Sequence, residues 1–192
     1  MTTTRCLRLQ CFSPTGRVPC LLDGETVVWD SLAILEYLAE IYPNVWPSDR
    51  VARAFARSAA AEMHSGFSAL RNFCPMSCGV RIELTTYPTE LRVDLDRLDK
   101  IWREGIGRFG GPFLAGDGFT GIDAFFAPIA FRLQTYGLSL SSVSDVYVDR
   151  LRRLPAMQEW YSASLAETVR ESNHEAELLA AGRITADLRA CT

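Results

Sequence analysis

The sequence predicts an α+β fold in two parts: a small β-hairpin with one helix, then a bundle of helices. Three observations predict it. Asp23-Gly24 stands between two apolar runs, which is the signal of a tight hairpin turn. Beyond residue 49, apolar side chains recur at three- and four-residue intervals, the helical period. Thr120-Gly121-Ile122-Asp123 sets a capping hydroxyl three residues before a carboxylate, ahead of a long apolar run.

The elements follow in order. Val18 to Leu22 is a short apolar strand, and Thr26, Val27, Val28 and Trp29 make its return strand. Asp30 or Ser31 caps the helix that follows. Ile34, Leu35, Leu38, Ile41 and Tyr42 share one face of it, and Pro43 stops it. Residues 44–49 read as a linker. One helix is predicted over 49–73, with Val51, Phe55, Ala59, Met63, Phe67, Leu70 and Phe73 on one side, before Pro75 and Gly79 break it. A second covers 89–109, marked by Leu91, Leu95, Leu98 and Trp102 and ended by Gly110-Gly111-Pro112. The third follows Thr120 and ends at Gly137. Ile122, Phe125, Phe126, Ile129, Phe131 and Leu133 make it apolar nearly all round, so it should be the central buried helix. Shorter helices are expected over 144–154 and 155–165, and Leu178 to Ala181 marks a last turn or two. Leu7, Leu9 and Cys11 alternate with Arg8 and Gln10, which fits either a strand covering the hairpin's open edge or the end of a helix.

Composition bounds the function. The 192 residues are 48% hydrophobic and 22% charged with a net charge of −3, ordinary for a packed soluble chain. No basic stripe points to nucleic acid. Lys100 is the single lysine, and arginine supplies the other positive charges. No run approaches the ~18 apolar residues of a membrane span, and the first residues lack a secretory core, so the cytoplasm is the default location. Cys74 and Cys78 have no second pair or histidine ladder nearby, so no metal site is expected. Most of the six cysteines read as small apolar fillers.

Two local features can carry chemistry. An X-Pro bond at Val18-Pro19, just before a strand, can be cis, or the proline can be a plain strand start. Asp30-Ser31 at a helix N-terminus offers free amides, a hydroxyl and partial positive charge to a carboxylate. It can equally be a simple N-cap, and one geometry serves both.

The stretch from Ser13-Pro14-Thr15-Gly16 through Val18-Pro19 to Trp29-Asp30-Ser31-Leu32-Ala33-Ile34, with Phe113 to Asp123, resembles the glutathione transferase superfamily. Glu62 to Phe67 and Leu70-Arg71 resemble a bacterial-type subgroup of it. The resemblance covers residues 13 to about 165. It implies a partial thioredoxin-like, glutathione-binding domain over 1–43 and an all-helical C-terminal domain over 49–192. It implies glutathione as ligand or co-substrate, a small electrophile as its acceptor, and a homodimer. Val18 and Pro19 then pair with the cysteinyl part of glutathione. Asp30 and Ser31 hold its γ-glutamyl end, and Arg17 either meets its glycine carboxylate or is a solvated side chain. Met63, His64 and Phe67 fall on the helix that lines the electrophile pocket, where His64 either touches substrate or is structural. The segment that carries the catalytic hydroxyl or thiol in the family precedes this motif, so the domain reads as N-terminally truncated and the catalytic residue is unassigned. Cys6, Cys11 and Thr15 are the local groups that could stand near the sulfur. The alternative to a conjugating enzyme is a non-catalytic glutathione-binding or dimeric scaffold relative.

Overall fold

The computed structural model describes residues 12–190. The alternating segment 7–11, Cys6 and Cys11 lie outside the described residues. Strand β1 (Cys20–Asp23) pairs antiparallel with β2 (Thr26–Trp29), Cys20 opposite Trp29 and Asp23 opposite Thr26. The turn is the two-residue Gly24-Glu25 loop. Gly24 takes φ +58, a conformation open to glycine at little steric cost. Helix α1 (Ser31–Ile41) follows and ends before Pro43, where a short 3₁₀ turn, Pro43–Val45, begins. The Tyr37 hydroxyl donates to Asp23 at 2.8 Å and ties α1 to the hairpin turn.

The predicted helix over 49–73 is two helices, α2 (Arg50–Ser65) and α3 (Ser68–Phe73). Gly66 and Phe67 break it, with Phe67 in the left-handed region at φ 58, ψ 40. That conformation costs a side-chain-bearing residue about 1–2 kcal/mol, and burial of the ring, only 6% exposed, offsets it. The core-facing stripe keeps Ala59, Met63, Phe67 and Leu70 of the one read from periodicity and differs at its start. Ala52, Ala56, Ala59, Ala60 and Met63 are buried, whereas Val51 is 51% exposed. Small side chains let α2 lie close against the central helix, and closeness rather than bulk selects the face.

Helix α4 (Thr89–Phe109) has the expected bounds and ends on Gly110 in the left-handed conformation. Helix α5 (Gly121–Tyr136) is the central helix, with eleven buried residues and a capping box at Thr120 and Asp123. Helices α6 (Ser142–Arg152), α7 (Pro155–Ala166) and α8 (Ser172–Ala181) complete the bundle.

The expectation of an all-helical region beyond residue 49 is corrected at one place. Strand β3 (Val80–Leu84) pairs antiparallel with β4 (Gly182–Asp187), which follows α8 directly. Val80 and Ile82 point into the core, and β4 alternates half-buried with exposed positions. The β4 chain passes so close to β3 that a Cβ at Gly182 would meet the Glu83 carbonyl at 2.1 Å. This ribbon closes the helical part on itself.

Candidate functional site

The site is built where the hairpin, α1 and α2 meet α5. The loop before β1 is shaped by its own polar groups: Gly16 N–H donates to the Ser13 carbonyl (3.0 Å), and Ser13 Oγ donates to the Arg17 carbonyl (2.7 Å). Ser13 is buried, while Arg17, Val18 and Pro19 stay exposed, Val18 at 66%. The Val18-Pro19 peptide is cis. The Thr15 hydroxyl is engaged inside this loop, 3.3 Å from Ser13 Oγ and accepting from Arg17 N–H.

Asp30 sits at φ 73, ψ 132, which L side chains rarely adopt and which costs about 1–3 kcal/mol. Two contacts hold it there. Its Oδ1 accepts from Leu32 N–H at 2.9 Å, capping α1, and its Oδ2 lies 3.3 Å from His64 Nε2. The other ring nitrogen, Nδ1, is 3.5 Å from Ser31 Oγ. His64 therefore spans the Asp30-Ser31 pair, with its ring edge-to-face on Phe125 at 6.3 Å. The Ser31 hydroxyl and the first amides of α1 stand at the positive end of the helix.

Beside this pair opens a cavity of about 510 Å³. Ser31 and Leu35 of α1 form one wall, Met63 and His64 of α2 and Arg71 of α3 another, and Ala124, Phe125, Pro128, Ile129 and Arg132 of α5 the floor. Pro128 interrupts α5 and has no N–H, so the Ala124 carbonyl loses its usual partner four residues on, at the cavity surface. Of the three residues assigned to an acceptor pocket by resemblance, Met63 and His64 line this cavity. Phe67 is a correction: the left-handed turn swings its ring into the core, and it does not line the cavity. The arginines were missed, because residues 71 and 132, far apart in the chain, reach one cavity only in the folded structure.

A larger groove of about 760 Å³ runs along α4 past Asp99, Lys100 and Arg103, and contains none of the predicted site residues. Its Asp99 serves α6 instead, accepting from the Ser141 and Ser144 hydroxyls and the Ser141 N–H. Cys74 and Cys78 are buried free thiols. Burial pushes the Cys74 thiol up to about 12, against the opposing pull of Arg132, so it is no nucleophile at neutral pH. Among the described residues no group of three His, Cys, Asp or Glu could hold a metal ion, and no helix is long and apolar enough to cross a membrane.

Two family models match the chain: the N-terminal domain of glutathione S-transferases over residues 4–41, and their C-terminal domain over residues 83–163. Glutathione S-transferase 1 of Dianthus caryophyllus is 28% identical over 150 residues, 71% of this chain and 66% of that protein. A probable maleylacetoacetate isomerase of Caenorhabditis elegans is 27% identical over 145 residues, 72% and 66% of the two chains. The chain thus spans about two thirds of the length of these relatives. Among solved structures, a glutathione transferase homologue from Burkholderia with bound glutathione superposes with TM-score 0.58 at 28% identity, covering 79% of this chain and 75% of the other. A homologue from Drosophila mojavensis, also with bound glutathione, shares the fold at TM-score 0.62 and 18% identity, covering 90% and 77%.

Proposed function

We propose, from the premise that this chain belongs to the glutathione transferase superfamily, that it binds glutathione and presents the thiol to a small electrophile in the adjoining cavity. The observation that carries this reading is Asp30-Ser31 at the start of α1, opening on a cavity of about 510 Å³ whose wall holds Met63 and His64. The α-carboxylate of the γ-glutamyl group takes the Ser31 hydroxyl and the free amides, and the α-amino group takes the Asp30 carboxylate. The exposed backbone at Val18-Pro19 receives the cysteinyl unit as an added strand, and Arg17 the glycine carboxylate. A free thiol has a pKa near 8.5, so only a few per cent is thiolate at pH 7. A shift of roughly two units would be worth about 2.7 kcal/mol, and one charge-assisted hydrogen bond supplies a large share of that.

Calorimetric titration with glutathione tests the site. Ser31→Ala and Asp30→Ala should each weaken binding by about 1–3 kcal/mol, the cost of a lost hydrogen bond to a charged group. Asp30→Gly separates cap from ligand: glycine tolerates the positive φ, so fold stability should change little while affinity still falls. Wild-type protein that binds no glutathione, or three variants that bind as tightly as it does, would remove this reading. Conjugation of glutathione to 1-chloro-2,4-dinitrobenzene then separates enzyme from scaffold: binding without turnover above the solution rate selects the scaffold.

A further inference from the structure

We propose that the electrophile received by this cavity is an anion, a small acceptor bearing a carboxylate held by Arg71 and Arg132. The inference deepens the proposed function and rests on it for the occupant being an acceptor. Apart from these arginines, Ser31 and His64, the rest of the lining is apolar, with Leu35, Phe125 and Ile129 facing the same space. Arg71 is held in place by donating from Nη2 to the Met63 carbonyl (2.6 Å) and from Nε to the Gly66 carbonyl (3.2 Å). Arg132 donates from Nη1 to the Cys74 carbonyl.

These partners are neutral. Among the described residues neither guanidinium pairs with a carboxylate, whereas Arg57, Arg97 and Arg189 each grip one with two nitrogens. Both cations stay charged at any working pH. Burial pushes the Arg132 guanidinium below its ordinary range, and the nearby charge of Arg71 pushes it further. The fold thus brings two like charges to one cavity, Arg71 exposed on one wall and Arg132 half-buried on the floor, with no carboxylate among the lining residues. A carboxylate entering there offsets one of the two charges and meets the planar fork that recognises it bidentately. Ser31 lies on the α1 wall, and on the proposed function it receives the glutathione carboxylate with the first amides of α1, so glutathione does not need the arginines.

Calorimetry on the full chain tests this with two probe pairs. One is S-benzylglutathione against S-(4-carboxybenzyl)glutathione; the other, free of glutathione, is 4-nitrobenzyl alcohol against 4-nitrobenzoate. Wild-type protein should prefer the charged member of each pair by about tenfold. Arg71→Gln and Arg132→Gln should erase the preference and leave glutathione affinity unchanged, and Arg132→Lys should retain part of it. Equal affinity for charged and neutral members in wild-type protein overturns the proposal, whether or not the variants fold. So does a tenfold loss of glutathione affinity in the glutamine variants without a charge preference, which would assign the arginines to glutathione. Discrimination within the free pair alone, with neither conjugate bound, supports the anion site and removes the glutathione reading.

Discussion

At the residue scale, Asp123 shows how a local signal becomes a tertiary one. The Thr120-x-x-Asp123 pattern announces a capping box, and the carboxylate does accept from Thr120 N–H at 2.9 Å. It is also fully buried, and it accepts from Leu114 N–H (3.1 Å) and the Tyr147 hydroxyl (2.9 Å), binding the loop before α5 and helix α6 to one side chain. Burial pushes its pKa up while these donors pull it down, with burial winning. Asp123→Ala strands two buried donors and should cost about 3 kcal/mol. A urea-unfolding series would measure it, and a loss under about 1 kcal/mol would show that the carboxylate does not hold these elements together. Asp30-Ser31 was legible for the same reason as Asp123: a cap is written in adjacent residues. The tilt of His64 across it was not, because residues 30 and 64 meet only after α1 packs on α2.

At the element scale, the β3–β4 ribbon and α8 are pinned by one arginine. Arg189, its side chain 12% exposed, makes paired contacts with Glu175 of α8 and with Asp187 at the end of β4. Its hydrogen bonds hold both carboxylates below their ordinary values of 4.5 and 3.8. A depressed carboxylate binds fewer protons in the folded state than in the unfolded one. Its contribution is therefore complete above the unfolded value and disappears as pH falls through the folded value. Arg189→Ala should lose about 2 kcal/mol near pH 7, an estimate discounted because Asp187 is part-exposed. The gap between wild type and variant should close as pH falls below the ordinary carboxylate values and through the lowered folded-state ones. Urea midpoints across that range check it, and a gap independent of pH would mean that packing, not charge, is lost. The ribbon itself escaped the sequence reading because its strands lie about a hundred residues apart and each is too short to outweigh the helical pattern around it. The break at Gly66-Phe67 escaped because a phenylalanine at positive φ is chosen by the space its ring fills.

At the scale of the whole molecule, the hairpin and α1 leave Leu22, Trp29, Ile41 and Tyr42 exposed, Trp29 at 45% and Tyr42 at 59%. An apolar surface of this kind on a small sheet favours association. With the superfamily resemblance, we propose from it a homodimer in which the hairpin and α1 of one subunit meet the helices of the other. Sedimentation at tens of micromolar should show the dimer, and Trp29→Glu with Tyr42→Glu should shift it toward monomer at least tenfold. A wild-type monomer at that concentration would end the idea. The sequence alone determined the hairpin, the bounds of α4, the central place of α5, its capping box and the Asp30 cap of α1. Each is encoded by residues within a few positions of one another, where backbone sterics and hydrogen-bond reach suffice. Tertiary structure alone decided that Ala52 and Ala56 rather than Val51 face the core from α2, where Phe67 points, that β3 finds β4, and that Arg71 and Arg132 share a cavity with Ser31. Those outcomes depend on how closely helices approach and on contacts between residues far apart in the chain, which no local pattern records.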